Sequence, residues 1–390
     1  MQYANRLSRL GTESAFEVLA RARALEAEGK SVIHLEIGEP DFETPDNISE
    51  AGIKAIRDGK THYCPSAGTP AARKVIAEYV STTRKAKVEP ENVVIMPGAK
   101  PLIFNAIFAL INEGDEVIVP NPGYPIYESV VNYVGAKPVP MKLREENDFR
   151  FLVDELKSLI TPKTSMIVIN SPQNPTGSVL TMGDLEAIYE MAKEHNLWIL
   201  TDEIYSRIVY GAEFKSIAAI PGALERTIMI DGMSKTYSMT GWRLGYGVMP
   251  VELAQWQTKL AINNFSCTAT FAQDAMIEAL TGSQDTVENM VAEFKQRRDV
   301  FVEGLNRIDD VSCTNPLGAF YVFPNITKTG IPSSELASRL LEEAGVACLS
   351  GTAFGKFGEG YLRFSYVNSV DNIRESLTRF EKFLAGVKTK

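Results

Sequence analysis

The 390-residue sequence has few of the residues that build metal sites and disulfide frameworks, with four cysteines and three histidines. The thiols are Cys64, Cys267, Cys313 and Cys348, and the histidines are His34, His62 and His195. Neither set has the close spacing of a zinc or redox motif, so we expect no bound metal. Because so few thiols in so long a chain form no disulfide scaffold, we expect reduced cysteines and a cytoplasmic protein.

Long apolar runs and blocks of basic residues are also missing. No stretch approaches the roughly 18 apolar residues that cross a bilayer, and residues 1–10 are too polar for the core of a signal peptide. We therefore expect neither membrane insertion nor export. A net charge of -9 without a Lys/Arg block argues against nucleic acid as a partner.

What the sequence does contain is the composition of an ordered globular protein, with 45% hydrophobic and 23% charged residues. Its length exceeds the size at which one core usually stops growing, which predicts two domains. In the middle of the chain, short β-rich runs alternate with amphipathic stretches, a pattern typical of β-α units and a largely parallel sheet. The predicted strands are 93–96, 116–119, 137–141, 165–170, 198–201, 227–230 and 243–248, and the predicted helices among them are 100–111, 122–133 and 181–194.

After Pro250 the pattern changes to long helical runs and isolated strands, which predicts a smaller α+β domain. The predicted elements there are the helix 284–307 and the strands 319–323, 346–349 and 361–366. A helical stretch at 14–28 has few partners nearby and is expected to pack on this second domain. The predicted division is a large domain of residues 46–284 and a small domain of residues 1–45 and 285–390.

The strongest local signal is the loop Asp231-Gly232-Met233-Ser234-Lys235, which follows a predicted strand. A loop lysine is usually a solvated charge, and for Lys235 taken alone that reading stays open. A lysine that reacts with an aldehyde cofactor must become neutral near pH 7, and a nearby cation or partial burial lowers its pKa in that direction. Arg243 supplies such a cation and could also hold a phosphate.

Asp202 comes directly after the predicted strand 198–201, where open α/β sheets place their ligands, and Tyr205 follows. The alternative is an aspartate that caps a turn beside a packed tyrosine. Against a bound pyridine ring, the Asp202 carboxylate would keep the ring nitrogen protonated, so that the ring accepts electrons from the substrate. Tyr205 could hydrogen-bond the phenolic oxygen of that ring.

Two turns follow other predicted strands and are candidates for the same site. In Asn170-Ser171-Pro172-Gln173-Asn174-Pro175-Thr176-Gly177, Asn174 is fixed by the proline after it. In Pro97-Gly98-Ala99-Lys100-Pro101, a strand leads into a helix whose free N–H groups and dipole can hold a phosphate. Both are also ordinary loop sequences, so either could be a plain connection.

In their order and spacing, these motifs resemble the fold-type I pyridoxal-phosphate enzymes of the class I/II aminotransferase family, among them aspartate and aromatic aminotransferases. The resemblance runs from Ile37-Gly38-Glu39-Pro40-Asp41-Phe42 to Tyr361-Leu362-Arg363-Phe364-Ser365, almost end to end. It implies an α/β fold with a mostly parallel seven-stranded sheet flanked by helices, plus a smaller α+β domain. It also implies pyridoxal 5'-phosphate as the cofactor.

The resemblance assigns roles to the residues around the cofactor ring. Lys235 resembles the lysine that forms the Schiff base and shuttles the substrate's α-proton, and Asp202 resembles the partner of the ring nitrogen. Tyr205 and Asn174 look like the ligands of the phenolic oxygen. Tyr124 matches the aromatic residue that stacks on the ring, with a packed core tyrosine as the alternative.

The phosphate site implied by the resemblance consists of the backbone amides of Ala99 and Lys100 together with Ser234 and Arg243. Tyr63 resembles the tyrosine that reaches the phosphate of the neighbouring subunit. The resemblance therefore implies a homodimer with active sites at the interface.

Substrate binding follows from the same comparison. Arg363 resembles the arginine that binds the substrate's α-carboxylate through two parallel hydrogen bonds, while a solvent-facing strand residue is the alternative. Gly38 and Asn174 resemble the other groups around that carboxylate. Lys100 is similar to a lysine of aspartate aminotransferases that meets the distal carboxylate, and its alternative role is to add charge near the phosphate.

We therefore expect an aminotransferase that moves an amino group from an L-amino acid to a 2-oxo acid by a ping-pong mechanism, with 2-oxoglutarate as the expected acceptor. Aspartate or glutamate is the favoured donor, with aromatic or small neutral amino acids as alternatives. A pyridoxal-phosphate lyase that cleaves carbon–sulfur bonds would need the same lysine, aspartate and arginine, so it stays an alternative. A transcription regulator is disfavoured because the resemblance leaves no room for a DNA-binding module, and a dehydrogenase because the Gly-x-Gly-x-x-Gly turn is missing.

Overall fold

The computed structural model describes residues 3–388 of the chain. Within them the strands are β1 Ile33–His34, β2 Val93–Met96, β3 Glu116–Asn121, β4 Lys137–Lys142, β5 Thr164–Asn170, β6 Trp198–Asp202, β7 Thr227–Gly232, β8 Gly245–Val248, β9 Tyr321–Val322, β10 Val346–Ala347, β11 Leu349–Ser350 and β12 Leu362–Ser365. The helices are α1 Ser14–Ala27, α2 Asp46–Arg57, α3 Pro70–Arg84, α4 Ala99–Leu110, α5 Ile126–Tyr133, α6 Val153–Leu159, α7 Met182–Glu194, α8 Met233–Thr236, α9 Val251–Asn264, α10 Thr270–Thr281, α11 Asp285–Leu305, α12 Ser333–Ala344 and α13 Val370–Lys388.

The large sheet has seven strands in the order β2-β8-β7-β6-β5-β3-β4, and it confirms the predicted mostly parallel α/β fold. Its central strands are apolar on both faces because helices cover both. On β5, for example, Met166 and Val168 pack on one side, while Ile167 and Ile169 pack on the other. Such continuous apolar runs are typical of buried parallel strands.

The direction of the strands decides where the functional residues meet. β8 runs antiparallel to both β2 and β7, while β7, β6, β5, β3 and β4 are parallel to one another. The carboxyl ends of β2, β3, β5, β6 and β7 therefore lie on one edge of the sheet. The start of β8 lies on that edge as well, and a ligand site is expected there in an open α/β sheet.

The small domain is built around the antiparallel sheet β11-β12-β9 and the parallel pair β1-β10. Helix α1 lies against this part of the chain, since Ala22 packs on Leu341 and Ala347 and Arg21 pairs with Glu342. Strand β1 pairs with β10, so the N-terminal segment and the C-terminal region share a sheet. The predicted domain boundaries stay a prediction, and residues 1, 2, 389 and 390 lie outside the described residues.

The structure differs from the sequence-based elements in several bounds. The strand predicted at 319–323 is limited to Tyr321–Val322. The helix predicted at 122–133 begins at Ile126, because residues 122–125 form a turn. The strand predicted at 346–349 is two short strands in different sheets, and the one predicted at 243–248 begins at Gly245 because Arg243 adopts a φ of 56°. Among residues 3–388 there is no helix long and apolar enough to span a membrane and no cluster of metal ligands.

Candidate active site

A cavity of about 390 Å³ opens at the carboxyl edge of the large sheet, where the small domain covers it. All of the predicted site residues except Tyr63 line this cavity. From the large domain these are Ala99, Lys100, Tyr124, Asn174, Asp202, Tyr205, Ser234, Lys235 and Arg243, and from the small domain they are Gly38 and Arg363. Residues far apart in the sequence thus form one continuous wall.

Lys235 lies in the short helix α8 directly after β7, so its side chain emerges at the carboxyl edge of the sheet. Its Nζ donates a hydrogen bond of 2.7 Å to the carbonyl oxygen of Gly38. The pKa of Lys235 is lowered to about 8, mainly by burial, with Glu39 raising it and the cations Lys100, Arg243 and Arg363 lowering it. A fraction of this amine is therefore neutral near pH 7, as a nucleophilic lysine requires.

Asp202 ends β6 at the floor of the cavity and is 4% exposed. Its carboxylate accepts hydrogen bonds from the Tyr127 hydroxyl at 2.7 Å and from the backbone N–H of Ile204 at 3.2 Å. Burial nevertheless raises the pKa of Asp202 to about 6. Among the described residues, no cation forms a hydrogen bond with the Asp202 carboxylate. The surrounding fold holds this charge in place, which indicates a ligand that supplies the positive charge.

Tyr205 and Asn174 lie beside Asp202, on the loops that follow β6 and β5. The Tyr205 hydroxyl is 2.9 Å from the hydroxyl of Tyr321, and Asn174 Oδ1 accepts a hydrogen bond of 3.4 Å from Arg363. The Asn174 backbone is fixed by a bond of 2.9 Å to the Asn170 side chain. Hydroxyl and amide groups therefore converge on the cavity from two neighbouring loops.

The turn from β2 into α4 depends on glycine. Gly98 has a φ of 99°, and a Cβ atom there would collide with the guanidinium group of Arg243. Arg243 itself is held by hydrogen bonds to the carbonyl oxygens of Thr240 at 2.6 Å and Pro97 at 3.5 Å. The N-terminus of α4, Ser234 and this guanidinium thus lie along one wall, an arrangement that favours an anion.

Arg363 lies on β12 and is 4% exposed, which rules out the solvent-facing alternative. Its guanidinium lies over the ring of Tyr321 at 4.6 Å and donates to the backbone carbonyl of Glu36. Its Nε has no hydrogen-bond partner among the described residues, and burial lowers its pKa. A buried guanidinium that lines a cavity with an unused donor is chemically suited to a carboxylate.

Lys100 lies at the start of α4 and forms an ion pair with Glu13 of the N-terminal segment. The same Glu13 oxygen accepts a hydrogen bond of 2.9 Å from the hydroxyl of Tyr124. Tyr124 also packs edge-on against Tyr127, with ring centroids 5.8 Å apart. Lys100 is thus in the cavity wall as predicted, but its ammonium group already has a carboxylate partner.

Tyr63 is the predicted site residue that the structure does not bring to the cavity. Its side chain is 89% exposed on the surface of this chain. A residue proposed to reach a neighbouring subunit has to lie on the surface of its own subunit, so its role stays a prediction.

Several residues of the cavity wall were missed by the sequence reasoning. Tyr127 could have been found, because in the predicted helix 122–133 it follows Tyr124 by three residues and would share a face with it. Tyr321 and Glu13 come from segments that carry no motif, and only the packing of the small domain brings them to the site.

Comparisons with known proteins agree with this geometry. The family model described as aminotransferase class I and II matches residues 30–380. The aspartate aminotransferase of Pyrococcus abyssi is 41% identical, covering 92% of this chain and 93% of its own, and aromatic-amino-acid aminotransferase 2 of Thermococcus litoralis is 40% identical, covering 92% and 93%. The structure of the Thermus thermophilus aspartate aminotransferase with maleate superimposes with a TM-score of 0.94 at 35% identity, covering 98% of this chain and 99% of that one.

Proposed function

Because the chain belongs to the aminotransferase class I and II family and is an aminotransferase, we propose that it works with pyridoxal 5'-phosphate bound covalently to Lys235. The observation that carries this proposal is a half-buried lysine with a pKa lowered to about 8 that shares a cavity with a buried carboxylate. The carbon–sulfur lyase alternative is not favoured, because the relatives compared above are named aminotransferases.

The residues of the cavity fit the chemistry of this cofactor. Asp202 offers an anion to a ring nitrogen, Tyr205 offers a hydroxyl, and Asn174 offers an amide. Because Gly98 has no side chain, the Arg243 guanidinium can approach the N-terminal turn of α4, and this close pairing of a cation with free N–H groups suits a phosphate. Cation, anion and neutral donors thus lie on different walls of one cavity, as the groups of the cofactor require.

When bound, pyridoxal phosphate supplies an aldehyde that reacts with amines and a ring that accepts electrons from the substrate's α-carbon. Asp202 would hold the proton on the ring nitrogen, and Tyr127 keeps that carboxylate oriented through its hydroxyl. Tyr205 and Asn174 would hydrogen-bond the phenolic oxygen, and Tyr124 would pack against the ring. The backbone amides of Ala99 and Lys100, with Ser234 and Arg243, would hold the phosphate.

The Nζ of Lys235 would act as the base that removes the substrate's α-proton and returns it. Arg363 binds the α-carboxylate with Asn174 and Gly38 beside it. This holds the α-carbon in one orientation relative to the lysine. The same groups serve a 2-oxo acid in the second half of a ping-pong cycle, because it presents the same carboxylate.

For the amino donor we propose aspartate or glutamate, with 2-oxoglutarate as acceptor. Support comes from Lys100, a cation in the cavity wall, and from relatives named for aspartate. A relative of similar identity is named for aromatic amino acids, so aromatic or small neutral donors are the second candidate. Exposed Tyr63 supports a homodimer in which it reaches the partner's phosphate, and the scattered thiols support a cytoplasmic location.

The test uses the purified, cofactor-loaded enzyme and its Lys235→Ala variant. The wild type should show a visible absorption band that aspartate or glutamate converts and 2-oxoglutarate restores. The variant should lose both the band and turnover, and borohydride followed by peptide mapping should place the cofactor on Lys235. Attachment to another lysine would overturn the site, and a wild type that converts no donor would overturn the reaction.

A further inference from the structure

The carboxylate of Glu13 is paired with Lys100, the cation to which the proposed function assigns the distal carboxylate of a substrate. Its Oε1 pairs with Lys100 and accepts the 2.9 Å hydrogen bond from Tyr124. Both partners belong to the large domain, whereas Glu13 directly precedes α1, which packs on the small domain. The carboxylate therefore reaches across the mouth of the cavity.

We infer that the Glu13 carboxylate occupies the position of the distal carboxylate of a dicarboxylic substrate. Glu13 thereby determines how the enzyme accepts both acidic and neutral donors. This inference rests on the proposed function, because it assumes that Arg363 takes the α-carboxylate. A dicarboxylic substrate then exchanges its second carboxylate for that of Glu13 on Lys100. With a neutral substrate, the ion pair between Glu13 and Lys100 stays intact.

The position of Glu13 keeps the free-energy cost of such an exchange small. The Glu13 side chain is 23% exposed and the Lys100 side chain is 44% exposed, so the pair is partly solvated. The preceding segment is tied to the large domain by a hydrogen bond of 2.9 Å from the Gly11 N–H to Ser129. A displaced Glu13 can therefore turn into water without leaving a buried charge behind.

The state in which Glu13 stays paired with Lys100 suits neutral substrates. With Glu13 in place, Lys100 is neutralised and the cavity mouth presents Ala15, Phe16 and Ile37. Phe16 is 61% exposed, so it offers an apolar surface to a substrate side chain. An alanine or phenylalanine donor then meets an apolar wall and a paired lysine rather than an uncompensated cation, whose desolvation would oppose binding.

The test compares binding of two unreactive probes, succinate and butyrate, to the cofactor-loaded enzyme by isothermal titration calorimetry. Both present one carboxylate to Arg363, and succinate adds the second. Glu13→Gln should increase the ratio of succinate to butyrate affinity by about two- to fivefold, the size expected from one partly exposed ion pair. Glu17→Gln is the matched control, since Glu17 lies on the same segment but bonds Thr12, and it should keep the wild-type ratio.

The role of Lys100 is tested in the same assay. In a Lys100→Met background, Glu13→Gln should no longer change the ratio, because there is no cation left to release. An unchanged ratio in Glu13→Gln would overturn the inference, and so would a change that persists without Lys100, since Glu13 would then act by general repulsion. A failure of the proposed function is separate, because it would appear as a wild type that converts no amino donor.

Discussion

Replacing Asp202 with Asn should stabilise the cofactor-free protein even though it damages the active site. Asp202 is buried, and burial raises its pKa from 3.8 to about 6 despite the hydrogen bonds from Tyr127 and Ile204. The folded protein thus binds this proton more tightly than the unfolded chain does. The wild type loses stability as the pH rises from about 4 through 6, while an amide does not titrate.

The size of the effect follows from the two pKa values. A difference of about two between 3.8 and about 6 corresponds to about 3 kcal/mol at 1.36 kcal/mol per pKa unit. This is an upper bound, because rearrangement of Tyr127 can relieve part of it. The amide keeps an oxygen for the Ile204 N–H, and its NH₂ group can donate to the Tyr127 hydroxyl, so the geometry of both bonds survives.

The assay is the unfolding free energy of cofactor-free wild type and Asp202→Asn at pH 4 and pH 8. The difference in unfolding free energy between variant and wild type should shift in favour of the variant from pH 4 to pH 8. Above about pH 7 this difference should stay constant. Asp184→Asn is the control, because that buried carboxylate pairs with Arg150 at 2.8 Å and takes part in the capping box of α7, so its loss should destabilise the protein. Equal pH dependence in wild type and Asp202→Asn would refute the reasoning that the carboxylate is strained in the empty site.

Two further predictions follow from the buried cations. Arg363→Lys keeps the charge but loses the planar fork, so kcat/KM should fall by about a hundredfold for all amino donors alike, and a loss confined to dicarboxylic donors would contradict the assignment. Arg84→Met leaves the buried carboxylates of Glu203 and Asp231 without their shared partner, so urea unfolding should show a loss of about 3–5 kcal/mol, whereas a loss under 1 kcal/mol would show that the ion pairs contribute little.

The fold could be predicted to a large extent because its signals are local. Strand β2 was predicted at the bounds that the structure has, and β5 and β6 within one residue, since buried parallel strands are continuous apolar runs. Residues that follow such strands were then expected at one edge, and Lys235 and Asp202 do meet there. The antiparallel direction of β8 was not predicted, because the alternation of strands and helices predicts parallel neighbours and β8 departs from that pattern.

The parts of the site that sequence reasoning missed depend on contacts between distant segments. Glu13 meets Lys100 and Tyr124 across the boundary between the N-terminal segment and the large sheet, and no spacing in the sequence indicates this. Tyr321 reaches Tyr205 because β9 pairs with β12, the strand that carries Arg363. Tertiary packing alone creates these neighbours.

The same strand ends carry two kinds of buried charge, and their contrast supports the assignment of the site. Successive residues of a strand point to opposite faces, so Asp202 faces the cavity while Glu203 faces away and pairs with Arg84 at 3.1 Å. Arg84 also holds Asp231 at 2.6 Å, just before the loop of Lys235, and so ties the ends of β6 and β7 together. Charges behind the sheet therefore have protein partners that fix the two strand ends. At the cavity, by contrast, Asp202 forms no ion pair and the Arg363 Nε has no acceptor within residues 3–388. Charges without protein partners on rigidly held walls of one cavity are what a site awaiting a charged ligand requires.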